Sequence, residues 1–376
     1  NLKILFLNQN KLTKIPDCIG EMVSLKAFFF DSSSFNPAIQ SAYQAGLEYF
    51  QSLLEPGQRE ELHEAKLVLI GEGGVGKTTL LKALTGQKTR EEEPTTHGVE
   101  IDIKALSLIC PHSGVTIHLN AWDFGGQEVY RVTHQFFFSR RSVYLLIWEP
   151  RRGVQQCQVE DWLKLIRLRV GDEARVIIVS THCRTGERIA RIDQNVLKRD
   201  FGDMIVGFCE IDSLVDDPET GEKVGIAQLK DWTLQTAQQL NHMGMALNRA
   251  WRESRDALLV IEEPRVSYDR FSEICTRHGL TIFAAKALAG LMHDLGYIIY
   301  YGDDENLKND VILNPEWLTK AIGYVLEDRT TQEMSGILPD SRLRNVWLEH
   351  SFKNEERYEP ELYPFFLRLM ENYDVS

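Results

Sequence analysis

The segment from Ala65 to Gly86, AKLVLIGEGGVGKTTLLKALTG, constrains the fold more than any other part of the chain. Residues 67–71, LVLIG, form a continuous apolar run, which is typical of a strand covered on both faces of a parallel sheet. A glycine-rich loop in the register GxxxxGK[ST] and a helix-forming segment follow. Strand, loop and helix in this order are the context in which such a loop wraps phosphate groups. The sequence therefore predicts an α/β P-loop NTPase domain.

The predicted loop assigns chemistry to individual residues. Backbone N–H groups freed by the glycines would point at the phosphates, and the helix N-terminus adds its dipole. Lys77 would reach the β- and γ-phosphates, and the Thr78 hydroxyl would bind magnesium. The predicted phosphate-binding residues are Gly71, Gly73, Gly74, Val75, Gly76, Lys77, Thr78 and Thr79.

The phosphate loop alone does not distinguish a GTPase from an ATPase, but the segments after it do. PTTHGVEI occupies residues 94–101, and a strand predicted over Thr116–Ala121 leads into DFGGQ at residues 123–127. P-loop ATPases usually end this strand in two consecutive acids, the second of which is catalytic. Phe124 follows Asp123 here, so this chemistry is disfavoured, and an ATP-using switch stays as an alternative. Further buried-type strands at 143–148, 175–180 and 205–211 predict one sheet with the motifs at its carboxyl edge.

The two ends of the chain follow other patterns. The first residues fit LxxLxLxxNxLxxIP, the leucine-rich-repeat signature, and a shift of 23 superposes Leu25, Phe28 and Phe30 on apolar positions of that repeat. A helical linker is predicted next. From Gly244 onward three helices precede two strands at 297–301 and 310–314, which is the winged-helix order. The would-be recognition helix carries one lysine and the turn between the strands is acidic, so a protein-contact module is favoured over DNA binding.

Composition limits the possible partners. The chain has 55 acidic and 42 basic residues, a net charge of −13 that disfavours nucleic acid and anionic membranes. Six scattered cysteines without a CxxC pair indicate free thiols in a reducing cytosol, hence a cytoplasmic protein. The sequence holds no apolar run approaching the roughly 18 residues of a membrane span.

These segments together resemble the Roco family, in which leucine-rich repeats precede a Ras-like Roc GTPase domain and a COR domain. The resemblance implies leucine-rich repeats at 1–35, a linker helix at 36–62, Roc at 63–242 and the mostly helical N-terminal half of COR at 243–376. Residues 313–326, LNPEWLTKAIGYVL, are similar to the start of COR. We interpret the chain as a fragment. In family members the second half of COR carries dimerisation, so a homodimer is expected for the full-length protein and a monomer is an option for the fragment.

The resemblance also implies roles beyond the loop. A switch threonine would complete the magnesium shell with Thr78, and Asp123 would hold the ion through a water. The match favours Thr96 as the switch threonine, with Thr95 as the alternative. The Gly126 N–H would contact the γ-phosphate. Gln127 would orient the attacking water, so Gln127 and Lys77 form the predicted catalytic pair. Arg131 and the two arginines in QFFFSRRSVY (135–144) are interpreted as surface anchors rather than catalytic groups.

The base-reading motif departs from the family pattern. The family often reads THxD, and Thr181 and His182 agree with it, but Arg184 stands at the acidic position. A guanidinium cannot accept the hydrogen bonds that guanine N1 and N2 donate. Either another carboxylate, Glu187 or Asp212, reads the base, or guanine selectivity is weak. The predicted function is a GTP/GDP switch with magnesium and slow hydrolysis; an ATP-using or promiscuous switch and a non-hydrolysing scaffold are the alternatives.

Overall fold

The computed structural model describes residues 2–10, 17–19, 22, 24–31, 43, 47, 50–51, 59–91, 93–96, 98–126, 133–153, 157–183, 191–334, 337–354 and 358–373. The described strands are β1 (Ile4–Phe6), β2 (Ala27–Phe29), β3 (Arg59–Leu62), β4 (Glu64–Ile70), β5 (Val99–Ile109), β6 (Thr116–Phe124), β7 (Ser142–Trp148), β8 (Arg175–Ser180), β9 (Ile205–Glu210), β10 (Asp212–Asp216), β11 (Lys223–Val224), β12 (Met245–Asn248), β13 (Arg265–Ser267), β14 (Ile299–Tyr300) and β15 (Asp310–Ile312). The described helices are α1 (Lys77–Leu84), α2 (Val159–Val170), α3 (Gln194–Phe201), α4 (Ile226–Gln238), α5 (Arg249–Leu259), α6 (Tyr268–Arg277), α7 (Ile282–Asp294), α8 (Pro315–Leu326), α9 (Arg329–Glu333), α10 (Asp340–Asn354) and α11 (Tyr363–Asn372).

A six-stranded sheet in the order β5-β6-β4-β7-β8-β9 organises the first domain. Strand β5 pairs antiparallel with β6, and the remaining pairs are parallel. Every residue of β4 and of β7 is buried, as the continuous apolar runs predicted. The predicted Ras-like α/β fold is confirmed, and β8 has the bounds expected from the sequence. Strand β6 runs further than predicted, to Phe124, so Asp123 lies inside the strand.

The N-terminal strands β1 and β2 form a separate parallel pair. Leu5 lies opposite Phe28, the 23-residue shift that the repeated pattern predicted. Phe28 and Phe30 pack against Phe50, with ring centroids 5.4 Å apart in both pairs. The assignment of this region to a leucine-rich repeat stays a prediction.

The predicted linker helix over 36–62 is wrong at its C-terminal end. Arg59–Leu62 is strand β3, which pairs antiparallel with β12. Pairing with β12 holds the backbone of β3 extended. The helix prediction failed there because local apolar spacing does not reveal pairing between segments distant in sequence. The same pairing makes Met245–Asn248 a strand where helix was predicted, and Asn248 then caps α5 by accepting from the Ala250 N–H.

The C-terminal domain begins with a winged-helix arrangement. Helices α5, α6 and α7 precede β14 and β15, which are shorter than the predicted strands. A third strand, β13, lies between α5 and α6 and pairs with β15, so the small sheet has the order β13-β15-β14. Helices α8 to α11 follow and enclose an aromatic core in which Trp347 and Phe366 lie 5.1 Å apart.

The two domains share a hydrogen-bonded interface. From β6, the Asn120 Nδ2 group donates to the Leu295 carbonyl at 2.8 Å, and Trp122 Nε1 donates to the Gly296 carbonyl at 3.2 Å. Both carbonyls directly follow α7. From β5, the edge strand next to β6, the Ile101 N–H donates to Glu316 Oε1 on α8 at 3.0 Å. The predicted contact between the P-loop domain and the helical domain is therefore present. It is made by β6, which neighbours β4, the strand before the phosphate loop, and by β5 on the other side of β6.

Candidate functional site

The loop between β4 and α1 has the backbone geometry of a phosphate cradle. Gly71, Gly74 and Gly76 have φ angles of +143°, +71° and +92°, which side chains rarely tolerate. A Cβ on Gly71 would lie 2.1 Å from the Ile147 carbonyl oxygen, so this position has no room for a side chain. Gly76 occupies the N-cap of α1, and the loop therefore presents the start of this helix to a ligand.

Lys77 is buried inside the loop. Its Nζ donates to the carbonyl oxygens of Gly71 and Glu72, both at 2.9 Å. Burial lowers the pKa of Lys77 to about 8, while Asp123 and Glu72 act in the opposite direction. The ammonium is thus held at the centre of the loop by backbone dipoles and two carboxylates, a position from which it can contact phosphate.

Three oxygen-bearing side chains meet beside this ammonium. The Thr78 hydroxyl donates to Asp123 Oδ2 at 2.6 Å, and Thr78 Oγ1 lies 3.1 Å from Thr96 Oγ1. The three side chains come from α1, the segment before β5, and β6. These are the residues predicted to bind the metal, and the neighbouring Thr95 lines the same cavity.

Asp123 has an environment that suits a hard cation. Its Oδ1 atom is buried and has no hydrogen-bond partner within the described parts of the chain. Burial raises the pKa of Asp123 to about 6, against the lowering effects of Thr78 and Lys77. A divalent cation with oxygen ligands would occupy the unpaired lone pairs and reverse the cost of burying the charge. Thr78, Thr96 and Asp123 therefore fit magnesium, which supplies positive charge to phosphate oxygens when bound.

The DFGG turn closes the phosphate end of the cavity. A Cβ on Gly126 would lie 2.5 Å from Gly73 Cα and 2.5 Å from Lys77 Nζ. Only glycine fits there, and its backbone directly faces the loop. The predicted contact of the Gly126 N–H with phosphate is compatible with this approach. Gln127, the predicted water-positioning residue, lies outside the described residues.

The base end of the cavity is formed by two loops that follow β8 and β9. The whole cavity has a volume of about 430 Å³, and the residues lining this end are Thr181, His182, Asp212, Ser213 and Leu214. Thr181 Oγ1 donates to the Val75 carbonyl at 2.8 Å and so joins the base end to the phosphate loop. Arg184 and Glu187 lie outside the described residues.

Asp212 is the carboxylate at the base end. It is 1% exposed, and its Oδ1 accepts from the N–H groups of Leu214 and Val215 at 2.9 and 3.3 Å. These bonds hold the turn that opens β10 and fix the carboxylate beside Thr181 and His182. Of the two substitutes considered for the missing acid, Asp212 is the one that the described structure places in the cavity.

Sequence reasoning missed the arginine that contacts the loop. Arg152, in the turn after β7, donates from Nη1 to the Gly73 carbonyl, and its Nε lies 2.9 Å from Glu149 Oε2. The signal available was a pair of arginines at the carboxyl end of a central strand. By contrast, Arg141 of the QFFFSRRSVY segment lies 3.2 Å from Asp294 of the C-terminal domain.

Fold and site together define a Ras-like P-loop domain joined to a helical partner domain. The family model "Ras of Complex, Roc, domain of DAPkinase" matches residues 66–184, and "C-terminal of Roc, COR-A domain" matches residues 248–376. The chain belongs to the Roco family as a Roc–COR protein.

Relatives share this organisation. The chain is 28% identical to "Probable serine/threonine-protein kinase pats1" of Dictyostelium discoideum, over 98% of this chain and 12% of that protein. It is 29% identical to a "Roc-COR-CHAT protease" of Runella zeae, over 80% of this chain and 33% of that one. The chain thus spans a third or less of the length of these two relatives. Its fold matches the structure of Methanosarcina barkeri Roco2 RocCORdC bound to GDP with a TM-score of 0.74, 27% identity, and coverage of 85% of this chain and 94% of the other.

Among the described residues, no helix is both long enough and apolar enough to cross a lipid bilayer.

Proposed function

We propose that this chain binds guanine nucleotides with magnesium and hydrolyses GTP slowly, as a molecular switch. The observation that carries the proposal is the convergence of Thr78, Thr96 and Asp123 beside the buried Lys77 ammonium. One of these residues follows the phosphate loop, and the other two come from segments corresponding to the switches of Ras-like proteins. A cation and phosphate bound there would tie all three segments together, and loss of the γ-phosphate would release two of them.

Roles in hydrolysis follow from the same placement. Thr78, Thr96 and Asp123 would hold magnesium, which would supply positive charge to the phosphates. Lys77 would neutralise phosphate charge beside them, the Gly126 N–H would contact the γ-phosphate, and Gln127 would orient the attacking water. The remaining loop residues predicted from the sequence hold the nucleotide through their backbone. Slow turnover is expected because Ras-like sites without a supplied helper hydrolyse slowly.

The switch would act on the C-terminal domain through two strands. Side chains alternate along β6, so Asp123 faces the site while Trp122 donates to the Gly296 carbonyl. Just after Thr96, a Cβ on Gly98 would lie 3.0 Å from Thr319 on α8. Movement of either switch segment therefore changes contacts with the helical domain. We also propose that the chain belongs to a longer cytoplasmic protein. Residues 1–35 would be the end of its leucine-rich repeats, and the protein would dimerise through a second COR half.

Guanine would be read by Asp212 in place of the acid that Arg184 replaces. The carboxylate lies in the base end of the cavity, and one of its oxygens is engaged by the turn. The related Roco2 RocCORdC of Methanosarcina barkeri is bound to GDP in its own structure, which supports guanine as the base. Thr181 and His182 line the same end and would pack against the nucleoside.

Calorimetric titration of nucleotide-free protein with GDP, GTP and ATP, each with magnesium, tests the proposal. We expect micromolar or tighter binding of GDP and GTP and at least tenfold weaker binding of ATP. Equal binding of ATP would replace the guanine switch by a permissive or adenine-using one. Phosphate release from bound GTP is measured in parallel, and its absence over hours would leave a nucleotide-bound scaffold rather than an enzyme.

A further inference from the structure

A buried histidine contacts the DFGG turn from the segment that follows it in the chain. His134 is 1% exposed and comes directly before a 3₁₀ turn, Gln135–Phe137. Its Nε2 donates to the Gly125 carbonyl oxygen at 3.0 Å. Because a carbonyl oxygen can only accept, this bond requires a proton on Nε2 of the imidazole. The histidine therefore has a defined hydrogen-bonding role at the turn that closes the phosphate end of the cavity.

This bond acts on the peptide unit that Gly125 shares with Gly126. The peptide is trans and planar, so its carbonyl and its N–H point in opposite directions. Holding the Gly125 carbonyl therefore also sets the direction of the Gly126 N–H. Gly126 approaches the phosphate loop closely, since a Cβ on it would lie 2.5 Å from both Gly73 Cα and Lys77 Nζ. His134 thus orients the N–H that is assigned above to the γ-phosphate.

Gly125 also contacts the segment that carries the switch threonine. Its N–H donates to the Gly98 carbonyl at 2.8 Å, and a Cβ on Gly125 would lie 2.5 Å from the Thr96 carbonyl oxygen. Gly125 is therefore bonded through its N–H to the segment of Thr96 and through its carbonyl to His134. The backbone on both sides of the Gly125 Cα is held, and the bond to His134 is the part that controls the Gly126 peptide.

Trp162 on α2 holds the imidazole ring in place. The indole and the imidazole are stacked, with centroids 5.5 Å apart and an interplanar angle of 18°, and the Phe124 ring lies 4.6 Å from the imidazole. Trp162 is itself buried, and its Nε1 donates to Glu72 Oε1 at 3.0 Å. Glu72 belongs to the phosphate loop, and its carbonyl accepts from Lys77 Nζ at 2.9 Å. Two buried side chains therefore join the phosphate loop to the DFGG turn.

We infer that His134 is a positioning residue for the γ-phosphate. Its Nε2–H holds the Gly125–Gly126 peptide so that the Gly126 N–H faces the phosphate, and the stack on Trp162 keeps the imidazole in place. This inference rests on the proposed binding of guanine nucleotides. His134 itself contacts neither the nucleotide nor the attacking water, and it transfers no proton. GDP lacks the γ-phosphate, so His134 contributes to the affinity for GTP and not to the affinity for GDP.

His242 provides a matched control. It is also a buried histidine whose Nε2 donates to a backbone carbonyl, that of Glu64, at 2.8 Å. Glu64 begins β4, at the end of this strand opposite to the phosphate loop. Removing the donor from either histidine breaks the same kind of bond, but only the bond from His134 holds the DFGG turn. A loss of stability common to both histidines can therefore be separated from an effect on the γ-phosphate.

The test measures the affinities of GDP and of a non-hydrolysable imido analogue of GTP, both with magnesium, by calorimetry. His134→Phe and His134→Met both lack the donor, and only phenylalanine keeps a ring to stack on Trp162. His134→Gln keeps an N–H donor but has no ring. We expect both donor-free variants to lose roughly three- to tenfold in the ratio of analogue affinity to GDP affinity, the scale of one hydrogen bond, with GDP affinity changed by less than about twofold. His134→Gln should recover most of the ratio, and His242→Phe should leave the ratio unchanged.

The order of the variants separates donation from stacking. A ratio that is kept in His134→Phe but lost in His134→Gln and His134→Met would assign the effect to the aromatic stack and overturn the inference. An unchanged ratio in all three variants would also overturn it, as would equal losses of GDP and analogue affinity, which would give His134 a purely structural role. If His134→Phe does not fold, a higher ratio in His134→Gln than in His134→Met supports donation, and equal ratios contradict it. Wild-type protein that binds neither nucleotide would instead overturn the proposed function itself.

Discussion

The phosphate end and the base end of the cavity are built by different means. At the phosphate end, one continuous loop supplies the backbone geometry. Gly71 and Gly76 are required by their positive φ angles, and Gly71 also by the close approach of the Ile147 carbonyl. At the base end, side chains from two loops distant in sequence converge, with Thr181 from one and Asp212 from the other. A backbone cradle needs particular residues at particular spacings. A side-chain pocket needs only a suitable group at a point in space, which either loop can supply.

This difference explains how the departure at Arg184 can coexist with an otherwise complete phosphate loop. A side chain on Gly71 would collide with backbone, because its Cβ would lie 2.1 Å from the Ile147 carbonyl oxygen. An acid lost from one base-reading loop can be replaced by an acid on its neighbour, since Cys183 N–H donates to the Ile211 carbonyl at 3.0 Å and joins the two loops. The phosphate end should therefore fail upon single changes that the base end tolerates in part.

The largest effect is expected at the phosphate end, from Lys77→Ala. This change removes a buried ammonium that would contact two phosphates, and charged hydrogen bonds of about 3 kcal/mol in total correspond to about 100-fold in affinity. GDP and GTP should both weaken by at least that factor in calorimetry. Lys164→Ala, at a lysine that is 62% exposed on α2, is the charge-matched control and should bind as the wild type does. Unchanged GDP affinity in Lys77→Ala would remove the loop from the proposed site.

A smaller, base-selective effect is expected from Asp212→Asn. Asparagine keeps the oxygen that accepts from the Leu214 and Val215 N–H groups, so the turn should persist. The other carboxylate oxygen becomes an NH₂ group, which cannot accept from guanine N1 or N2. Loss of a charged hydrogen bond costs about 1.5–3 kcal/mol, or about 10- to 100-fold in GDP affinity.

Inosine diphosphate sharpens this comparison because it lacks the guanine amino group. The wild-type protein should prefer GDP over inosine diphosphate, and Asp212→Asn should show little preference. Asp216→Asn removes a carboxylate that pairs with Lys223 at 2.7 Å, outside the cavity, and is the control. A full GDP preference in Asp212→Asn would assign base reading to another group, such as Glu187.

The same contrast separates what the sequence predicted from what it did not. The phosphate loop and strands β4, β7 and β8 were predictable because continuous apolar runs and glycine spacing are local properties. Strand β5 was not identified, since its EIDIKA segment alternates irregularly between buried and exposed residues. Strands β3 and β13 have four and three residues, too few for a periodic signal, and they exist through pairing with β12 and β15.

Site residues divide in the same way. Thr78, Thr96 and Asp123 were proposed from motifs and lie together in the structure. Arg152 was overlooked because a sequence does not indicate which of several exposed arginines turns toward a loop. That choice depends on the neighbouring order of β4 and β7, together with the pairing to Glu149.

The smallest of the three effects should come from pH acting on Asp123. Burial raises the pKa of this carboxyl to about 6, so the metal-free folded protein holds a proton that the unfolded chain releases near 3.8. Between these two pKa values the folded state binds more protons than the unfolded state, so the free energy of unfolding falls as pH rises. Magnesium needs the ionised carboxylate, so below about pH 6 it must displace the proton. Apparent magnesium affinity of the GDP complex should therefore weaken up to about tenfold per pH unit below 6. Asp123→Asn has no such proton, so its magnesium affinity should show only the weaker pH dependence of the nucleotide. Magnesium titrations of both proteins from pH 7.5 to 5 make the comparison. Equal slopes of magnesium affinity against pH in the two proteins would place the metal away from Asp123.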